Sequence, residues 1–285
     1  MQYESPDTLE AASKLLASAT DARILAGGTD LLVQMKAEVL SPGLVIDIKR
    51  VTETRTIKEE NGGFRIGAAV TGAELKEHAK LRSVWPGVVE AANLIGSTQV
   101  QGRATMGGNL CNGSPAADSV PALIAAGAVA TVVGPNGRRD IKVEDVMLAP
   151  RKLALTKGEI IASFFLPARG AKASDAYLRF IPRTEMDIAV VGCGISLALD
   201  AAGTCTAARM SLGAVAARPL LVADAAKALI GTKVDDAALA KLSAAAMAAC
   251  APIDDKRGTK EFRIDVAGVL AKRTALIALE RARKK

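Results

Sequence analysis

The sequence predicts an α+β protein whose parallel and antiparallel sheets lie in different parts of the chain. Two short apolar runs enclose a helical pattern within the first fifty residues, which is typical of a βαβ unit with parallel strands. Asn61-Gly62-Gly63 and Pro135-Asn136-Gly137 have the composition of hairpin turns. Three strand patterns follow residue 173, and only helical patterns come after them.

A stretch of linker composition divides the chain. Residues 169–173 read Arg-Gly-Ala-Lys-Ala, and the 285 residues are enough for two hydrophobic cores. We expect a two-part N-terminal domain over 1–170, with a small βαβ subdomain at about 1–52 and a larger mixed α/β subdomain at about 53–170. We expect a C-terminal domain over 174–285, with an antiparallel three-stranded sheet and helices.

Apolar periodicity and Gly/Pro breaks give the individual elements. In the first helix Leu9, Ala12, Leu15 and Leu16 fall on one face, behind Asp7 or Thr8 as a cap. Residues 96–117, rich in Gly, Asn, Ser and Thr, are expected to form a long ordered loop. The predicted helices cover 8–18, 30–39, 72–78, 87–94, 222–230, 237–250 and 266–280, and the predicted strands cover 23–26, 44–48, 56–58, 64–68, 160–166, 176–181, 188–199 and 206–215.

Composition excludes several function classes. Four scattered cysteines and a single histidine argue against a zinc site, an iron–sulfur cluster or a His-based triad in this chain, and unpaired thiols fit a cytoplasmic protein. The first residues carry no secretory signal, and the longest apolar run, 120–133, is shorter than the ~20 residues of a transmembrane helix. Basic residues concentrate at the C-terminal end, but aromatics reach only 3%, so we expect no nucleic-acid partner.

Two glycine-rich segments are candidate ligand loops. The first, Ala26-Gly27-Gly28-Thr29-Asp30, follows a predicted strand and opens a helix, as an anion-binding loop does. An ordinary tight turn capped by Thr29 or Asp30 explains it equally well. The second, residues 104–118, combines Gly107-Gly108 with Asn109, Asn112 and Asp118. It is either a helix-capping loop or the other half of a dinucleotide site.

These loops and two further motifs carry a specific resemblance. The loop motifs are Ala-Gly-Gly-Thr-Asp-Leu-Leu at 26–32 and Ala-Thr-Met-Gly-Gly-Asn-Leu at 104–110, and the flanking motifs lie at 95–103 and 183–189. Because these four motifs occur in collinear order, the chain resembles the FAD-binding medium subunit of the xanthine dehydrogenase and carbon monoxide dehydrogenase family of molybdenum hydroxylases. The resemblance covers roughly residues 1–200 and continues weakly to the end. It implies FAD as the cofactor.

The resemblance also implies which residues bind FAD. The first loop would surround the pyrophosphate through Arg23, Ile24, Leu25, Ala26, Gly27, Gly28, Thr29, Asp30 and Leu31. The rest of the site would comprise Ile95, Gly96, Thr105, Gly108, Asn109, Cys111, Asn112, Asp118, Ile160, Ile161 and Arg179. Arg23 and Arg179 stand where family members often have lysine, which keeps the charge but changes the shape of the group. We expect no catalytic residue and no metal ligand in this chain.

The same resemblance implies partner subunits. A small subunit would carry two [2Fe-2S] clusters and a large subunit would carry molybdopterin and oxidise the substrate, in a dimer of heterotrimers. Electrons would pass through FAD to an external acceptor. Two alternatives remain open: a self-sufficient FAD-dependent oxidase or dehydrogenase of related fold, and a non-enzymatic module that binds another phosphorylated ligand or serves only as an assembly scaffold.

Overall fold

The computed structural model describes residues 1–285, and its first 47 residues form a small parallel sheet. The strand order is β1-β3-β2, and β3 pairs in parallel with both neighbours. All four β3 residues are buried, as expected for a central parallel strand. The predicted βαβ unit is confirmed, with one added edge strand. The elements are β1 (Gln2–Glu4), α1 (Leu9–Ser18), β2 (Ala22–Leu25), α2 (Leu31–Lys36) and β3 (Leu44–Asp47).

The second part contains a five-stranded antiparallel sheet in the order β4-β5-β10-β6-β7. Both predicted hairpins are present, and α3, α5 and α8 supply much of the apolar core. The elements are β4 (Ile57–Glu60), β5 (Gly63–Gly67), α3 (Gly72–Glu77), α4 (Ala79–Val84), α5 (Pro86–Ala92), α6 (Thr98–Gln101), α7 (Met106–Cys111), α8 (Ser119–Ala125), β6 (Val129–Gly134), β7 (Gly137–Lys142), α9 (Val143–Val146), β8 (Met147–Ala149), β9 (Lys152–Leu153) and β10 (Ile160–Leu166).

The expectation of a long loop over 96–117 was wrong, because α6 and α7 lie within it. Thr105 caps α7 by accepting a hydrogen bond from the Gly108 amide, and Met106 and Leu110 are buried beneath the helix. The two adjacent glycines have poor helix propensity. Tertiary packing of the flanking apolar residues therefore overrides the local preference.

The C-terminal part is an antiparallel sheet in the order β11-β12-β13-β14, covered by helices. The three predicted strands are present, and the two-residue β14 adds a fourth that is too short to predict from sequence. A row of buried alanines on α12 faces this core, so the backbone of the helix approaches the sheet closely. The elements are β11 (Ala173–Phe180), β12 (Val191–Leu199), β13 (Cys205–Gly213), β14 (Leu220–Leu221), α10 (Ala223–Lys227), α11 (Asp236–Ala248) and α12 (Lys260–Arg283).

Buried charged groups join the C-terminal part to the rest of the chain. Arg169 forms an ion pair with Asp175 at 2.7 Å, with side chains only 5% and 4% exposed. The guanidinium also lies 3.7 Å from the centre of the Trp85 ring. Asp175 accepts a hydrogen bond from the Val88 amide in the first turn of α5, where negative charge is favourable. The segment predicted as a linker is thus fixed in place at both ends.

None of the helices combines the length and the apolar character that crossing a bilayer requires.

Candidate functional site

A cavity of ≈ 570 Å³ lies between the small parallel sheet and the second part of the chain. This volume is in the range of about 300–1,000 Å³ that is typical of small-molecule sites. Both glycine loops contribute to its wall. The predicted residues that line it are Arg23, Ile24, Ala26, Gly27, Gly28, Thr29, Asp30, Leu31, Ile95, Thr105, Gly108, Asn109, Cys111, Asn112, Ile160 and Ile161.

The first loop presents a row of unused backbone donors. Gly28 has φ +78°, a conformation that favours glycine. None of the amides from Gly27 to Asp30 donates a hydrogen bond to a backbone carbonyl. The Asp30 side chain makes no capping hydrogen bond to α2. The structure therefore does not support the alternative of an ordinary turn capped by Asp30. Consecutive free N–H groups on a cavity wall are suited to a phosphate or another anion.

The two glycine loops touch each other at Gly27. A Cβ atom at this position would lie 1.9 Å from the backbone oxygen of Arg103, just before the second loop. In the second loop, Gly107 lies against Ala68, and a Cβ there would be 2.4 Å from the Ala68 oxygen. Because both close contacts involve backbone atoms, only glycine fits at these two positions, and the contact at Gly27 sets the separation of the loops.

The second loop contributes fixed side chains. Thr105 Oγ1 accepts a hydrogen bond from the Gly108 amide at 2.9 Å. Asn112 Oδ1 accepts one from Gln34 Nε2 at 3.3 Å, which joins the loop to α2. Asn109 Oδ1 accepts two hydrogen bonds from Ser119. Polar groups on this side of the cavity are thus positioned by the chain itself.

The start of β10 contributes an apolar part of the wall, next to a charged pair. Ile160 and Ile161 are each 3% exposed, and a β-bulge separates Ile161 from Ser163. Glu159 lines the cavity and pairs with Arg139 through two hydrogen bonds of 2.6 and 2.7 Å. This guanidinium lowers the pKa of Glu159 to about 2. The carboxylate is therefore ionised at neutral pH and unsuited to proton transfer.

Four predicted residues lie behind the lining. Leu25 is buried under the first loop, and Gly96 has φ +67° with Val100 against it. Asp118 and Arg179 form a buried ion pair at 2.8 Å, and Tyr177 donates a long 3.4 Å hydrogen bond to Asp118. This ion pair joins β11 to the end of the second loop. That these four residues contribute to FAD binding remains a prediction.

Burial raises the pKa of Asp118 to about 6, against the opposing effect of Arg179. The folded pKa exceeds the unfolded value of 3.8, so the folded state binds this proton more tightly. We therefore expect the contribution of this group to stability to be greatest below about pH 4 and to fall by roughly 3 kcal/mol as the pH rises through about 4 to 6. Urea unfolding of the wild type and Asp118→Asn between these pH values measures the difference. If stability changed with pH in the same way in both proteins, that result would contradict a raised pKa for Asp118.

Of the lining residues that were not predicted, Ala104 and Gly107 belong to the second loop, and most of the others come to the cavity only through tertiary folding. Arg151 has φ +59° and donates its backbone N–H to the carbonyl of Gly113 in the second loop. Glu159 directly precedes Ile160, and this adjacency was the sequence signal available for it. The unpredicted lining residues are Ala22, Gln34, Val39, Leu40, Ile48, Ala68, Ala104, Gly107, Arg151, Leu153, Leu155 and Glu159.

Comparison with known proteins gives the family. Residues 1–169 match the model of the FAD binding domain in molybdopterin dehydrogenase, and residues 176–278 match the CO dehydrogenase flavoprotein C-terminal domain. The carbon monoxide dehydrogenase medium chain of Hydrogenophaga pseudoflava is 32% identical, covering 95% of this chain and 94% of its own length. The putative xanthine dehydrogenase FAD-binding subunit of Escherichia coli K12 is 30% identical, with 95% and 93% covered.

Solved structures agree with this relationship. A chain of the Cu,Mo-CO dehydrogenase has a TM-score of 0.94 at 32% identity, covering 99% of this chain and 98% of its own length. A chain of quinoline 2-oxidoreductase from Pseudomonas putida 86 has a TM-score of 0.90 at 26% identity, with the same coverage. The chain therefore belongs to the FAD-binding medium subunits of the xanthine dehydrogenase and CO dehydrogenase family, and is the FAD-binding subunit of a molybdenum hydroxylase-type oxidoreductase complex.

Proposed function

We propose that this chain holds FAD in the cavity between its two glycine loops and passes electrons from the [2Fe-2S] clusters of a small partner subunit to an external acceptor. A large molybdopterin subunit would oxidise the substrate, and the complex would be a dimer of such heterotrimers. The observation that carries the proposal is the row of unpaired amides from Gly27 to Asp30 on the wall of a ≈ 570 Å³ cavity.

The residues of the cavity suit the chemical groups of FAD. Free amides and the adjoining Thr29 hydroxyl would bind the pyrophosphate, which needs donors and no acceptors. The Asn109 and Asn112 amides would bind ribose or ribityl hydroxyls, and Ile95, Ile160 and Ile161 supply apolar surface for a flat ring. Bound FAD would supply the ability to exchange electrons singly or in pairs. The chain would bind and orient it.

The cavity wall contains no histidine, and its two carboxyl groups are Glu159 and Asp30, the latter with a pKa raised by burial. Glu159 is held ionised by Arg139, and His78 caps α4 through Nδ1 away from the cavity. All four cysteines are free thiols, which agrees with a reducing compartment such as the cytoplasm.

FAD binding should stabilise the fold in a way that depends on its pyrophosphate. At free FAD a hundredfold above the dissociation constant, we expect the free energy of unfolding to rise by about 2.7 kcal/mol. Riboflavin, which lacks the pyrophosphate and adenosine, should bind at least roughly 100-fold more weakly, because the amides of the first loop gain no partner. Calorimetric titration and thermal unfolding measure both effects. Equal affinities would place the ligand outside the first loop.

Purification of the native complex tests the partner subunits. We expect the chain to co-purify with molybdenum- and iron-containing proteins, and its flavin to be reduced by substrate only in their presence. Substrate turnover by the isolated chain would favour the self-sufficient oxidase. A purified chain that binds no FAD would favour the non-enzymatic module.

A further inference from the structure

Asn109 has its side-chain oxygen turned away from the cavity. The backbone N–H and the hydroxyl of Ser119 both lie close to Asn109 Oδ1, at 3.0 and 2.7 Å. A backbone N–H is only ever a donor, so the atom facing it must be the amide oxygen. The orientation of the Asn109 amide is therefore fixed by its partner.

The amide nitrogen of Asn109 is left for the cavity. Asn109 lines the cavity wall, whereas Ser119 is completely buried behind it and is not part of the lining. No group of the chain accepts a hydrogen bond from Asn109 Nδ2, although Oδ1 accepts two. An amide rotated by half a turn would instead present an acceptor to a ligand that carries phosphates and hydroxyls, and would weaken its binding.

We propose that Ser119 is a positioning residue that directs the amide nitrogen of Asn109 toward the cofactor. The inference rests on the proposed function, since the cofactor is FAD. Ser119 is well placed for this role because it begins α8 and follows Asp118, which Arg179 holds in a buried ion pair. The C-terminal part of the chain thereby stabilises the residue that orients a donor in the FAD cavity.

FAD affinity tests the proposal through non-additivity. Ser119→Ala removes one of the two hydrogen bonds to Asn109, and we expect roughly 3- to 10-fold weaker FAD binding. In an Asn109→Ala background the same substitution should have almost no further effect, because its target is absent. Ser211→Ala is the matched control: Ser211 is equally buried, its hydroxyl has no hydrogen-bond partner, and FAD affinity should be unchanged. Full additivity of the Ser119 and Asn109 effects would overturn the proposal.

A measurement on the FAD-free chain separates this proposal from the proposed function. The side-chain NH₂ resonances of Asn109, identified by their loss in Asn109→Asp, should be sharp and dispersed in the wild type. They should move or broaden in Ser119→Ala and stay in place in Ser211→Ala. Unchanged resonances in Ser119→Ala would overturn the positioning role even if FAD binds. A chain that shows the expected change but binds no FAD would overturn the FAD assignment and with it the role toward FAD.

Discussion

Replacing Gly27 with alanine is expected to weaken FAD binding by roughly 100-fold, which corresponds to about 2.7 kcal/mol. The added Cβ would lie 1.9 Å from the Arg103 oxygen and 2.7 Å from the Arg103 carbonyl carbon, so the backbones must separate. That separation moves the free amides of the first loop away from the Thr105–Asn109 side of the cavity. Because both neighbours are backbone atoms, no side-chain rotation relieves the contact.

Gly43→Ala is the matched control for Gly27→Ala. Gly43 lies in the same small subdomain, and a Cβ there would meet only the Asp21 oxygen, at an ordinary 3.5 Å. Its FAD affinity should stay within roughly twofold of the wild type, since surface changes of this kind have small effects. Fluorescence titration of FAD with each variant makes the comparison. Wild-type affinity in Gly27→Ala would contradict the contact between the two loops as a requirement of the site.

Replacing Arg169 with methionine is expected to destabilise the folded chain by about 3–5 kcal/mol. Arg169 donates hydrogen bonds to Asp175, to the Val84 carbonyl and to the Ser196 hydroxyl, and it stacks on Trp85. Methionine preserves much of the stem but leaves the Asp175 carboxylate buried without its cation. Burial already raises the pKa of Asp175, and loss of Arg169 removes the charge that opposes that increase.

The control for Arg169→Met is the exposed pair of Lys227 and Asp224. These side chains are 72% and 84% exposed, and water screens the attraction between them. Lys227→Met should therefore change the free energy of unfolding by less than about 1 kcal/mol. Urea unfolding of both variants, with comparison of the denaturant slopes, measures the difference. A similarly small change in the free energy of unfolding of Arg169→Met would show that the buried pair does not stabilise the contact between the C-terminal part and the rest of the chain.

The predictable parts of the fold are those with local signals. The hairpin at Asn61-Gly62-Gly63 was predictable because its residues favour a tight turn, and Gly62 does adopt φ +74°. The start of α3 has a complete capping box, with Thr71 and Glu74. Strand β1 was missed, because it is three exposed residues long and exists through pairing with β3. No local pattern specifies a strand of that kind.

The candidate site likewise contains residues with a local sequence signal and residues without one. The glycine loops could be recognised because close approach and free amides require a particular local sequence. Arg151, Gln34 and Glu159 come to the cavity from distant segments, so their positions depend on tertiary packing. Asp118 and Arg179 were predicted as separate FAD contacts, and the structure pairs them with each other. A resemblance identifies such positions but gives no information about which groups they contact.

We propose that this chain binds FAD between its glycine loops and passes electrons without oxidising a substrate itself. Rapid mixing of the FAD-loaded chain with its reduced [2Fe-2S] partner subunit, under anaerobic conditions, tests this most directly. We expect the absorbance of oxidised flavin to disappear on mixing with the reduced partner, and to remain when substrate alone is added to the isolated chain. Loss of flavin absorbance with substrate alone, or no loss with the reduced partner, would contradict this role for the chain.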